Sequence, residues 1–218
     1  MRITLVVHQY LPRFTTGTEQ YVHGLSCEYA RRGLDVDVVT LHPLFGPDGP
    51  ALEEIHDSID GVPVTRIRFW QEIHPDPTRR EYRHPLLDAW FRRHLAKDPR
   101  PPGIVHFFHL RCLGPSWIDL AREAGHQTIV SLLAFWFLCP AITLIRGHGS
   151  LCEGPPDGGA GCLPCISNTR TPTTLRETFQ AEIARHDPAA GRLRGTHPYL
   201  PALTERPSVL QGALLRAQ

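Results

Sequence analysis

Residues 2–40 read RITLVVHQYLPRFTTGTEQYVHGLSCEYARRGLDVDVVT, and the pattern of this stretch decides the fold class. Arg2 to Val7 is a near-continuous apolar run, as expected of a strand buried on both faces. Gly17 to Arg32 reads as a helix: Tyr21, Leu25 and Tyr29 recur at i, i+4, i+8, with Val22 beside them, giving one apolar stripe. Gly33 stands where a C-terminal cap belongs. Asp35 to Thr40, DVDVVT, is a second strand. A strand, a helix and a strand in so short a span imply a right-handed crossover, and therefore a parallel sheet.

Downstream the alternation continues. Leu41 to Gly61 is rich in Pro, Gly and Asp and reads as a loop. Val62 to Phe69, VPVTRIRF, alternates and is predicted to be an outer strand. His74 to Arg80 is polar and proline-bearing. A helix is expected over Pro85–Ala96, closed by the breaker run KDPRPPG. Ile104 to Phe108 is a short buried strand. Pro115 to Ala124 is a helix with proline near its first turn, capped by Gly125. Thr128 to Leu133 is the next strand. The class is α/β, with a Rossmann-like, doubly wound and mostly parallel sheet. An irregular cysteine-bearing loop follows to Cys165, then a helix-like segment, Thr174 to His186. From Asp187 onward the chain is rich in Pro, Gly and Arg.

The bulk numbers narrow the partners. The 218 residues carry 23 basic and 22 acidic groups, a net charge of +1. Nucleic-acid-binding domains usually show a clear basic excess, so no such partner is expected. The start, MRITLVVHQYLPRF, has no small-residue cleavage site, which argues against a secretory signal and for a cytoplasmic protein. Thr128 to Ile145, TIVSLLAFWFLCPAITLI, is uncharged and about long enough to span a bilayer. It also holds Pro140 and the hydroxyls of Thr128, Ser131 and Thr143. A buried strand running into an apolar loop accounts for it, and it allows a peripheral membrane contact.

Three groups of residues carry candidate chemistry. A dinucleotide site needs several glycines after the first strand; only Gly17 is present, which disfavours nicotinamide and flavin enzymes. Gly17, Thr18 and Glu19 at a helix start still leave backbone N–H groups facing the sheet's C-terminal crevice. Thr16 or Thr18 suits a helix cap and Glu19 suits the positive end of the dipole, so capping alone and ligand contact both fit. The second group lies in GIVHFFHL, where His106 and His109 fall at a strand's C-terminal end. Open α/β sheets bind ligands there, although a core histidine and a loop cap are the plainer alternatives. The third group is Cys139, Cys152, Cys162 and Cys165. Cys162-Leu-Pro-Cys165 has the bite to place two thiolates on one tetrahedral metal, zinc or an iron–sulfur cluster. Buried thiols with a chance pair are the alternative.

These motifs together resemble the N-terminal, acceptor-side domain of a GT-B glycosyltransferase of family 4, over residues 1 to about 165. The resemblance rests on the turn Thr16-Gly17-Thr18-Glu19, with its helix ending Ala30-Arg31-Arg32-Gly33, and on His106 and His109. It rests most of all on Phe135 to Pro140, FWFLCP, followed by Gly149 to Gly154, GSLCEG, and the Cys-x-x-Cys. The family's first turn glycine is Thr16 here, and its His-Asp pair is Leu133 and Ala134, which can neither accept a proton nor balance charge.

The resemblance implies a retaining transferase of family 4 using a nucleotide sugar as co-substrate. It would pass a hexose to a glycan or lipid-linked acceptor. Gly17, Thr18, Glu19, His106, His109 and Trp136 would contact the acceptor or the donor phosphates, and a neutral imidazole would orient a sugar hydroxyl. The donor-binding half is expected to be absent. Only about 50 residues follow the first α/β unit, too few for a domain of ordinary size. Residues 1–165 would form the acceptor-side domain, with the Cys-rich loop at 139–165, and 166–218 a helix and a weakly structured tail. Such a chain works with a donor-binding glycosyltransferase half as partner. The alternative implied by the lost His-Asp pair is a catalytically inactive glycan- or protein-binding module.

Overall fold

The structure is a computed structural model that describes residues 1–44, 49–70, 82–139, 144, 151–155 and 162. The elements run β1 (Arg2–Val7), α1 (Gly17–Arg31), β2 (Asp35–Leu44), β3 (Leu52–Ile59), β4 (Val62–Trp70), α2 (Pro85–Lys97), β5 (Ile104–Phe107), α3 (Ser116–Glu123) and β6 (Gln127–Val130), then a 3-10 turn at Phe135–Phe137. They form one six-stranded sheet in the order β3-β4-β2-β1-β5-β6. Five strands are parallel, and β3 joins β4 antiparallel at the edge. The sheet is therefore α/β and Rossmann-like, as the first 40 residues predict.

Two apolar layers sandwich the sheet. On one side α1 covers Ile3, Leu5, Val7, Val36 and Val38. On the other, α2 and α3 cover Val6, Val39, Val105 and Phe107. Phe91 of α2 lies flat on Trp117 of α3, with ring centroids 4.0 Å apart and planes within 4°. Each such aromatic pair is worth about 0.5–1.5 kcal/mol beyond its buried area. The pair locks the two helices together over β5.

Helix ends follow local chemistry. Gly33 takes φ 73° and Gly125 φ 85°, and each closes its helix with the paired backbone bonds of a left-handed cap.

The structure corrects three readings. The strand expected to be buried over Thr128–Leu133 is β6, Gln127–Val130, an edge strand whose Ile129 and Val130 are exposed because no further strand or helix covers them among the described residues. The stretch taken as a loop, 41–61, contains the end of β2 and all of β3. Leu52–Ile59 is an edge strand with one face wet, so its polar Glu53, Glu54, His56, Asp57 and Ser58 hide the period-two pattern. The signal that reveals it is Asp60-Gly61 between Ile59 and Val62, a two-residue hairpin turn with positive φ at both positions, 48° and 81°. The buried face of α1 also differs. It is Glu19, Val22 and Ser26, with Leu25 and Tyr29 partly covered, while Tyr21 is exposed. The predicted helix Thr174–His186 lies outside the described residues. Among those described, no helix is long and apolar enough to cross a membrane.

Candidate functional site

The sheet order reverses beside β1: the chain winds outward through β2 and β4, then returns to place β5 on β1's other edge. Ligands of open α/β sheets bind in the crevice outside the strand ends at such a reversal. The residues there come from four segments: the turn after β1, the start of α1, the turn after β5 and the chain beyond β6.

His8 follows β1 directly. Its backbone N–H donates to the carbonyl of His109 at 2.9 Å, extending the β1–β5 pairing by one step past the strands. The two imidazoles then lie face to tilted face, 4.3 Å between centroids. Burial, followed by the nearby His109 and Arg111, pushes the His8 pKa down to about 3, so the ring is neutral. His109 Nδ1 accepts the Arg111 backbone N–H at 3.3 Å, which puts any ring proton on Nε2. Beyond His109 lies Trp136, at 5.7 Å, which stacks in turn on Tyr82 at 5.2 Å. The rings make a continuous floor across the crevice.

The start of α1 supplies the opposite charge. Thr16 is the N-cap by backbone geometry, and its carbonyl accepts the Gln20 N–H, yet its side chain does not cap the helix. The hydroxyl instead donates to Glu19 Oε2. The first-turn N–H groups therefore have no side-chain cap. Glu19 is fully buried, and its Oε1 meets no hydrogen-bond partner among the described residues.

His106 departs from its expected grouping with His109. It points to the α1 side of the sheet, stacks on Phe108 at 4.2 Å and shares a 2.8 Å hydrogen bond between Nε2 and Ser131 Oγ. Burial lowers its pKa. Its Nδ1, like His8 Nδ1 and Trp136 Nε1, has no partner among the described residues. Native proteins rarely leave buried polar atoms unmatched, and each such atom costs about 1–3 kcal/mol. Nine buried side-chain atoms among the described residues lack a hydrogen-bond partner, and four of them, His8 Nδ1, Glu19 Oε1, His106 Nδ1 and Trp136 Nε1, come from the segments around the C-terminal ends of β1, β5 and β6.

The other expected residues are placed as follows. Gly17 and Thr18 form the first turn of α1, and the space where a Cβ on Gly17 would sit is open within 4 Å. Leu133, where a histidine would stand in the resembled family, is 41% exposed just past β6. Cys139 is buried, and the Cys152 thiol donates to the Gly154 carbonyl at 3.0 Å. Cys165 lies outside the described residues. A cavity of about 330 Å³ opens between α2 and α3, lined by Tyr82, Arg83, Asp88, Arg92, Ser116 and Asp119. His8, Tyr82 and Ser131 were not singled out by sequence reasoning. His8 was reachable by the rule that picks out His106 and His109, since it is the first residue after the central strand.

Among curated proteins none matches the chain. The model of the glycosyl transferase 4-like domain matches residues 16–186, which include the α1 turn, His106, His109 and the Trp136 segment. With a parallel Rossmann-like sheet and a match over most of its length, the chain belongs to the glycosyl transferase 4-like domain family.

Proposed function

We propose that this domain is the acceptor-side half of a nucleotide-sugar-dependent glycosyltransferase, transferring a hexose to a glycan or lipid-linked acceptor once a donor-binding half closes over the crevice. The observation that carries the reading is a set of buried polar atoms there with no partner among the described residues: His8 Nδ1, Glu19 Oε1, His106 Nδ1 and Trp136 Nε1. Sugar hydroxyls both donate and accept, so they suit a wall that offers a carboxylate oxygen, an indole N–H and imidazole nitrogens together. Tyr82, half-buried and backed by the buried Trp136 ring, suits the apolar face of a pyranose.

Chemically, an activated sugar leaves its diphosphate through an oxocarbenium-like transition state while an acceptor hydroxyl attacks. The barrier lies in the charge on the leaving phosphates and in holding the hydroxyl in line. This domain contributes the second part. Glu19 accepts from an acceptor hydroxyl, and the uncapped N–H groups at Gly17 and Thr18 present positive potential to an anionic group. His8 and His109, one of them held neutral by burial, orient hydroxyls without adding charge.

The loss of the His-Asp pair, with Leu133 and Ala134 in its place, favours a second reading, an inactive glycan-binding module. One experiment separates them. The purified chain is mixed with a donor-binding half and a labelled nucleotide sugar. Transfer in the mixture, absent from either part and lost with Glu19→Gln while docking persists, supports the enzyme. A docked complex that transfers to no acceptor, and gains transfer on Leu133→His with Ala134→Asp, assigns the domain as an inactive module.

A further inference from the structure

A second polar cluster lies at the other end of the molecule. His23 and Cys27 sit one turn apart on α1, and Asp60 is carried by the tight turn between β3 and β4. One ligand atom from each of the three falls within 4.8 Å of the others. His23 Nε2 is 3.1 Å from Asp60 Oδ2 and 3.8 Å from Cys27 Sγ. Tetrahedral zinc, with bonds of about 2.0–2.3 Å, sets ligand-to-ligand separations of about 3.3–3.6 Å. The two separations from His23 are within a few tenths of an ångström of that geometry, and Cys27 Sγ lies within 4.8 Å of the Asp60 carboxylate.

Counting protons shows what the cluster lacks. Ser26 Oγ donates to the His23 carbonyl at 2.8 Å, so its one proton is spent. Ser26 can then only accept from Tyr10, whose hydroxyl lies 3.3 Å away. The Tyr10 proton is thereby spent too, and Tyr10 can only accept from His23 Nδ1, at 3.1 Å. The relay fixes a proton on Nδ1. With that tautomer Nε2 presents a lone pair toward a carboxylate and a thiol, and the only proton facing it is that of the Cys27 S–H, a weak donor 3.8 Å away whose loss on metal binding would leave a thiolate ligand. A hydrogen bond that pins one imidazole nitrogen so that the other can bind metal is the usual outer support of a histidine ligand.

We propose that His23 Nε2, Cys27 Sγ and an Asp60 carboxylate oxygen bind a divalent transition metal, with zinc the best fit to a nitrogen, sulfur and oxygen set. A water completes the tetrahedron. Tyr10 and Ser26 are positioning residues that orient His23. The site is separate from the crevice, because the β3–β4 turn lies at the N-terminal end of β4, and it stands whether or not the transferase reading holds. Bound metal ties α1 to the hairpin and acts as a structural clip.

The test is titration of the full chain with Co²⁺ and then Zn²⁺ under reducing conditions. One equivalent of Co²⁺ should give a thiolate-to-metal charge-transfer band that zinc abolishes. Cys27→Ser should remove that band. Asp60→Asn keeps the left-handed turn, since asparagine tolerates positive φ as aspartate does, and should weaken zinc binding about 10-fold or more with an unchanged melting profile of the metal-free protein. Tyr10→Phe should weaken it about 10-fold by removing the hydroxyl that orients His23 through Nδ1. A charge-transfer band that survives Cys27→Ser would assign the metal to other cysteines and overturn the proposal. So would alkylation of Cys27, followed by peptide mapping, at the same rate with and without zinc.

Discussion

His8 shows how a single residue can be poor for the fold and good for the site. Its ring is buried against His109, its Nδ1 has no partner among the described residues, and burial holds its pKa near 3. Phenylalanine fits the same space without the orphan nitrogen. His8→Phe is therefore expected to raise the unfolding free energy by about 1 kcal/mol, read as a higher urea midpoint, while transfer by the reconstituted enzyme falls about 10-fold or more through lost hydroxyl orientation. A stabilised variant with full transfer would show that the ring is mere packing. Residue roles of this kind were only half legible in the sequence. His106 was grouped with His109 because both stand near the C-terminal end of β5, but His106 lies within the strand and His109 just past it. The strand's alternation sends His106 to the α1 face instead, against Phe108 and Ser131.

Elements were far more legible, because they depend on local periodicity and on glycine. Arg2–Val7 has the predicted bounds, and α1, α2, β4 and β5 shift by a residue. What failed was β3, a strand whose polar face looks like loop, although its Asp-Gly turn was in plain view. Glycine also separates fold from function at this scale. Gly103 approaches β1 so closely that an added Cβ would lie 2.5 Å from the Arg2 carbonyl oxygen, whereas Gly17 has open space around it. Gly103→Ala should cost about 1–3 kcal/mol by forcing β5 off β1, seen as a lowered melting temperature. Gly17→Ala puts a better helix former at the first position of α1 and should leave melting unchanged or slightly raised. If that turn receives a ligand backbone-first, Gly17→Ala still loses transfer, about 10-fold or more. Equal activity would remove the turn from the site.

For the whole molecule, buried histidines set the pH response. His8 is held near 3 and His94 near 4, each chiefly by burial, and His42, His106 and His126 are lowered for the same reason. The unfolded chain takes up these protons near pH 6.5 and the folded chain does not. Folding is therefore undisturbed above that pH, and stability falls as the pH drops from about 6.5 toward 4, by on the order of 1–2 kcal/mol each for His8 and His94 between pH 7 and 5. Asp37 and Asp88, raised by burial, act in the opposite sense but in a more acidic range, above the ordinary carboxylate value. Urea midpoints measured across pH 5–7 should decline toward acid, and the decline should be shallower in His94→Gln.

The strand order also has a consequence in time. β1 lies at the centre of the sheet, yet the neighbour on one of its edges, β5, begins at Ile104. A ribosome adding about 5–20 residues per second needs roughly 5–20 s to cover that distance. Through that interval the nascent chain holds a largely apolar strand with one row of amides and carbonyls unanswered, and the aromatic floor of the crevice does not yet exist. The molecule becomes whole only when its last parallel strands emerge from the exit tunnel, so its birth is the moment of greatest exposure to chaperones and to its own neighbours on the same message.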